Sequence, residues 1–472
     1  MSQIADWSLI ETANAIAKRT VSAVEVTEAV LGRIDARQPV LNAFIRVDKD
    51  GARAAAKAAD ARQTAGGKLG PLHGVPLAHK DMFYRPGVPV TCGSAVRRNF
   101  RPDYLATVLD KLDEAGAITV GALNMSEFAN GPTGHNVHFG PTRNPWNPEH
   151  ITGGSSSGSG TAVAGRMVYG SLGSDTGGSI RLPGGICGVY GIKPTQGRVS
   201  RYGCMGLSFS LDNIGPLART AADCARLLKV VAGPDANDAT AAGVRVDDYE
   251  AGLGAGAKGL RIAVATNHYW DGMSPEVGDV LEAALGAFAK LGCTIRRREV
   301  PFHDELRGLG NIVISSEFCA LHDDWLRNQH DLYAPLVRAR MKQGFAFTAV
   351  EYLKAVQVRP RITEAFVDDV FGDADALFLP VLRFPVPKLV DTDVRDSATM
   401  NEVLGSLNHC TWPMNYLGLP GLSVPGGFSK TGMPVGFQLV GRPFAEAMLF
   451  RMAAAYERET GWPDAKPTMA GA

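Results

Sequence analysis

Between Gly153 and Gly191 the chain carries thirteen glycines and seven serines, and threaded through them are the apolar runs "RMVYGSLGSD" and "IRLPGGICGVYGIKPT". Gly and Ser alone make a flexible linker, but the Val, Leu, Ile and Tyr side chains between them need an interior. The segment is therefore expected to run through the core as tight backbone, where missing Cβ atoms let peptide groups approach one another or a ligand. The rest of the chain can supply that core: 472 residues, 45% apolar and 20% charged, are the proportions of a folded globular protein. Lys plus Arg and Asp plus Glu number 48 each, so no net field of one sign steers the chain toward nucleic acid or an anionic membrane. A small-molecule partner is expected, with no nucleic acid and no membrane, and the chain itself as a monomer or homodimer.

Hydrophobic periodicity sets the fold class. Ser22 with Glu25 three residues on has the spacing of a capping box, and Val26, Val30 and Ile34 recur on one face, so residues 1–60 are expected to be helical. "GPLHGVPLAHKDMF" breaks to a Gly/Pro turn and then a short apolar strand that contains Lys80. Leu105, Val108, Leu109, Leu112 and Ala115 mark a helix stopped by Gly116, followed by the strand "AITVGALN". "LRIAVAT", a helix starting at Ser274-Pro275, and "CTIRRREV" read as a β-α-β unit. "DALFLPV" and "PVGFQLVG" are further strands, and Ala445 to Tyr456 a closing helix. The expectation is an α/β fold, a large mixed twisted sheet covered by helices on both faces. Without a convincing linker the whole of 1–472 is taken as one domain, in which the polar helical stretch 303–360 is a candidate lid or insertion. Seven scattered cysteines without a C-x-x-C pair fit reduced thiols. With no signal-peptide pattern and no apolar run of ~18 residues, a cytoplasmic location is expected.

Three chemistries compete for the Gly/Ser segment. A phosphate cradle lacks the Lys-Ser or Lys-Thr of a P-loop and any G-x-G-x-x-G opening a helix. Gly154 to Gly158 formally match the G-x-S-x-G of a nucleophile elbow, but "NPEHI" before them is a poor strand. "DTGGSIR" is the third: the N–H groups of Thr176, Gly177, Gly178 and Ser179 can converge on one oxygen, and an oxyanion donor of this kind is worth ~2.7–4 kcal/mol in a transition state. Ser179 would then be a nucleophile beside its own oxyanion donors. None of the ten histidines has the local context of its base, and His135 with His138 lacks a third metal ligand. A lysine reached through a second serine is one alternative for the base, and it requires a neutral amine.

At this point the sequence resembles the amidase signature family. That family carries a Ser–cis-Ser–Lys triad on the pattern G-G-S-S-G-G-S followed by D-T-G-G-S-I-R-x-P, and this chain has "GGSSSGS" and "DTGGSIRLP". The family lysine lies in a V-K-D strand, matched by "LAHKDMF". The resemblance spans most of the chain, including "FGPTRNPWNP", "GIKPTQGRVSRYG" and "LGLPGLSVPGG". It implies Ser179 as nucleophile, Ser155 as bridging serine in a cis peptide and Lys80 as base, with no metal or organic cofactor. Lysine ordinarily titrates near 10.4, so a neutral amine at pH 7 costs ~4.6 kcal/mol, which burial must impose. Asp81 would oppose this if it pointed inward. The family's substrate-side loop matches "NMSEFANGPTGHNVHFG", which implies that Ala129, Asn130 and Gly131 face the substrate.

The expected activity is an amidohydrolase that cleaves the C–N bond of a small amide, anilide or carbamate through an acyl-enzyme, with esterase side activity. The alternative is the glutaminase component of a tRNA-dependent amidotransferase, its A subunit, which "SRYG" and "LDNIGPL" resemble. There an acid helps to hold the glutamine amino group. "SLNHCTWPMNYLGLP" has Asn408 at the aligned place, and a neutral amide does not pair with an ammonium as a carboxylate does. With Trp412 and Met414 nearby, a more apolar pocket is expected.

Overall fold

The computed structural model describes residues 4–395 and 397–468. Its strands are β1 (Phe44–Val47), β2 (Pro76–Lys80), β3 (Ile118–Leu123), β4 (Gly170–Asp175), β5 (Tyr190–Lys193), β6 (Asn213–Ala218), β7 (Arg261–Ala265), β8 (Thr294–Arg298), β9 (Ala376–Pro380), β10 (Gly421–Phe428) and β11 (Pro434–Val440). Eight of them form one sheet in the order β4-β6-β5-β10-β11-β9-β7-β8, antiparallel as far as β9 and parallel from β9 through β7 to β8. The sheet is mixed because the β-α-β unit around the helix Pro275–Lys290 adds parallel strands to an antiparallel set.

Alternation along β11 shows how both faces are covered. Gly436 meets the short helix Arg181–Cys187, where a Cβ would lie 2.5 Å from Gly185 Cα. Its neighbour Phe437 points the other way, edge-on to Phe288 (5.9 Å) and Tyr456 (5.2 Å) of the helices Pro275–Lys290 and Glu446–Thr460.

The remaining strands form a separate three-stranded sheet, β1-β3-β2, with β2 parallel to β3. The expected α/β fold with its large mixed sheet forms, and these three strands lie in a second, smaller sheet. Beside β4 the imidazole of His79 accepts the Leu172 N–H at 3.1 Å, so a side chain takes a group that strand pairing would use. At the N-terminus Ser22 and Glu25 do make a capping box on the helix Ala23–Leu41, but β1 interrupts the helical expectation for 1–60. "FIRV" pairs with β3 instead of extending a helix, tertiary pairing outweighing local propensity. Residues 303–360 hold the helices His303–Asn328 and Pro335–Lys342 and most of Ala349–Phe366. All seven cysteines are free thiols, six of them buried and Cys204 partly exposed.

Candidate active site

The loop between β4 and the helix Arg181–Cys187 is built on Asp175. Its buried carboxylate accepts the N–H groups of Gly178 (2.8 Å), Ile180 (3.1 Å) and Arg181 (3.3 Å), and meets the Arg181 guanidinium at 3.0 Å. Burial raises this carboxyl, but the adjoining guanidinium and its hydrogen bonds more than offset that and hold it well below the usual carboxylate range. Asn415 donates to the same carboxylate, and Gln438 and Asn415 accept from Arg181. The pair braces the loop, since each charge meets its partners inside the protein. Two glycines make the turn: a Cβ at Gly177 would sit 2.5 Å from the Trp412 ring, and Gly178 has φ +126° with Thr411 Oγ1 2.1 Å from where its Cβ would be.

Lys80 ends β2, whose five residues are all buried. Its Nζ lies 2.7 Å from Ser155 Oγ and 2.8 Å from Ser174 Oγ. Burial pulls the amine down from 10.5 to about 7, against the pull of Asp212 and Asp175. Asp81 does not oppose this: its carboxylate turns away to the N–H and hydroxyl of Thr91. The Gly154-Ser155 peptide is cis.

Ser179 lies beside this pair, joined through the main chain, where Ser156 N donates to Ser179 O at 3.2 Å. Its hydroxyl makes no hydrogen bond among the described residues, so the Ser155 to Ser179 link is open in this structure. Of the four expected oxyanion donors, Gly178 differs: its N–H is already committed to Asp175. The N–H groups of Thr176, Gly177 and Ser179 have no acceptor among the described residues.

Thr176, Gly177 and Ser179 line a cavity of about 30 Å³ together with Ala129, Asn130 and Gly131. Asn130 brings a buried Oδ1 that has no partner among the described residues. From the 303–360 region Ile314 and Arg340 reach the same cavity, and Asn408 and Trp412 close it. Met414, expected near the pocket, is buried outside its lining. His135 and His138 are engaged by Thr133 and Glu127, at 3.0 and 2.9 Å, and Lys193 donates to Pro194 O at 2.9 Å.

Sequence reasoning missed three participants. Ser174 holds the lysine, and its place next to Asp175 in "GSDTGGS" was the available signal. Asp212 accepts the Thr176 hydroxyl at 2.5 Å and the N–H groups of Leu207 and Ser208. Arg340 has no local motif; only the packing of its helix brings it to the cavity. Burial brings its guanidinium down to about 10, which leaves it charged at neutral pH.

A buried, hydroxyl-bound lysine beside a Gly-Gly-Ser loop, carried on a mixed α/β sheet flanked by helices, defines the amidase signature class. The chain belongs to the Amidase family, whose sequence profile matches residues 25–450. The A subunit of glutamyl-tRNA(Gln) amidotransferase from Myxococcus xanthus (strain DK1622) is 42% identical over 481 residues, covering 97% of this chain and 98% of that protein. Among solved structures, the corresponding A subunit from Thermotoga maritima matches with a TM-score of 0.81 at 33% identity, over 96% of this chain and 95% of its own. A chain from a vestigial protein complex, tied to the evolutionary origins of an s-triazine catabolic enzyme, matches with a TM-score of 0.90 at 33% identity, over 98% and 100%.

These names correct one expectation. A monomer or homodimer with no nucleic-acid partner does not stand, because the relatives are named as one component of an enzyme that acts with a tRNA. Balanced charge excludes a net field, but not a partner protein that itself binds nucleic acid. Among the described residues no helix is long and apolar enough to cross a membrane.

Proposed function

We propose that this chain releases ammonia from a small, carboxylate-bearing primary amide, in the manner of the glutaminase component of an amidotransferase, with Ser179 as nucleophile, Ser155 as bridge and Lys80 as base. The observation that carries the reading is the buried Lys80 amine at hydrogen-bond distance from Ser155, with a pKa of about 7. Neutral Lys80 takes the Ser155 proton while Ser155 takes that of Ser179, whose Oγ bonds to the amide carbon. A rotation of the Ser179 hydroxyl closes the open link, as apo sites commonly require. The N–H groups of Thr176, Gly177 and Ser179 hold the oxyanion. As the C–N bond breaks, the proton returns through Ser155 to the leaving nitrogen, and water then cleaves the acyl-serine ester by the same relay. Arg340, charged and without a side-chain partner among the described residues, anchors the substrate carboxylate, and the 303–360 helices are the cover that presents it.

The relatives' names, a subunit of an amidotransferase, support an amide as the nitrogen source and an assembly as the working form. Asn408 favours a second reading, an amidohydrolase for carboxylated amides that lack an ammonium. The test is ammonia release from glutamine and from glutaramate, with and without Ser179→Ala, on protein purified alone and with whatever proteins accompany it. Ser179-dependent release from either amide supports the proposal. No release from either, with no fluorophosphonate labelling of Ser179, ends it.

A further inference from the structure

The space beside the Ser179 cavity carries more positive charge than one carboxylate needs. A cavity of about 440 Å³ adjoins the Ser179 cavity, sharing Arg340, Asn408 and Trp412 with it, and its lining adds Arg307. The side chain of Arg340 forms no hydrogen bond or ion pair among the described residues. The polar contact of Arg307 is with a ring, Nη1 to His409 Nδ1 at 3.4 Å. Asp304 is the one carboxylate in the lining; it is exposed and pairs with neither arginine among the described residues.

The position of Arg307 is specific. It lies against the helix Met400–Asn408 one turn before Asn408, where a Cβ on Gly405 would come within 3.4 Å of Arg307 Nη2. Asn408 is turned back on its own helix, its amide nitrogen donating to the carbonyls of Leu404 (3.2 Å) and Gly405 (3.1 Å) in the orientation that satisfies it. At this place the pocket therefore offers a neutral amide beside a guanidinium. Two unmatched cations in a partly enclosed space favour an anion over bulk solvent.

We propose that Arg307 is a specificity residue that binds a second anionic group of the substrate, so that the preferred substrate is a primary amide with two carboxylates and no ammonium. This rests on the reading that Ser179 hydrolyses an amide anchored at Arg340. A carboxylate on each guanidinium completes the charge balance that the protein leaves open, and the planar forks make that recognition bidentate.

Two measurements on the full chain test this. The first is calorimetric binding of tricarballylate and butyrate. Tricarballylate binds at least tenfold tighter to wild type, and Arg307→Gln reduces that advantage at least tenfold, with Arg307→Lys between them. The second is ammonia release from N-succinylglutamine, N-acetylglutamine and glutamine, which share one scissile carboxamide. The dianionic compound has at least tenfold the kcat/KM of the acetyl compound, and Arg307→Gln lowers that ratio at least tenfold. Equal binding of the two acids in wild type, an advantage unchanged in Arg307→Gln, or glutamine as the best substrate overturns the inference. Failure of the underlying reading looks different: ammonia release is absent or survives Ser179→Ala, whatever the binding shows.

Discussion

Replacing Lys80 by Met keeps most of the side-chain volume and removes the amine, so the cost of burying that amine becomes measurable. The amine titrates at about 7 in the folded chain and at 10.5 ordinarily. At ~1.4 kcal/mol per pH unit, holding it neutral at pH 7 costs ~5 kcal/mol. The unfolded chain keeps the lysine proton up to about pH 10.5, whereas the folded chain releases it from about pH 7. In that window the unfolded state binds more protons, so stability rises with pH. The penalty is fully present below the folded pKa and is gone above the unfolded one. Loss of the amine as partner of Ser155 and Ser174, ~1 kcal/mol each, is the same at either pH and cancels from a comparison between them. Lys193, also lowered to about 7 by burial, adds the same slope to both proteins. The stability of wild type relative to Lys80→Met, from urea unfolding, is therefore expected to rise by ~2 kcal/mol between pH 7 and pH 9. Amide hydrolysis in the variant falls ~10²–10⁴-fold, and wild-type kcat/KM climbs to a plateau above about pH 7. A stability difference that is flat between the two pH values, or more than about a tenth of the activity in Lys80→Met, would refute the neutral-lysine argument.

Ser174→Ala leaves Lys80 one hydroxyl partner instead of two, and kcat/KM for an activated ester should drop about tenfold, one hydrogen bond of ~1 kcal/mol or a little more. Asp175→Asn strands the buried Arg181 guanidinium and should cost ~3–5 kcal/mol, seen as a lower urea midpoint together with loss of fluorophosphonate labelling. Gly178→Ala places a Cβ on Thr411 at a backbone angle that costs a non-glycine residue ~1–3 kcal/mol. Hydrolysis should fall at least about a hundredfold, and adding Thr411→Ser, which keeps the hydroxyl, should not rescue it. Arg340→Gln should raise KM for glutaramate at least about tenfold, a charge-assisted hydrogen bond of ~1.5–3 kcal/mol, with a smaller change in kcat.

Much of the fold was legible because it is local. The capping box at Ser22, the glycine after the helix that ends at Glu114, and the β-α-β unit from Arg261 to Arg298 follow from spacing within about forty residues. β1 was not legible, since "FIRV" becomes a strand only by pairing with β3, far along the chain. Within the site the same division holds. "DTGGSIR" and "LAHKDMF" announced Ser179 and Lys80. That Asp81 turns to Thr91 and Lys80 finds Ser174 depends on which side of each strand faces the core.

The order of residues already specifies where a backbone without Cβ atoms must run and which hydroxyls and amine stand ready along it, because those are properties of short stretches. Packing in three dimensions adds what no short stretch holds. It buries the amine at position 80 deeply enough to lose its proton near neutrality, and turns Arg307 and Arg340 toward one cavity from separate helices. Burial and electrostatic fields are sums over neighbours from distant parts of the chain, and no local pattern carries them.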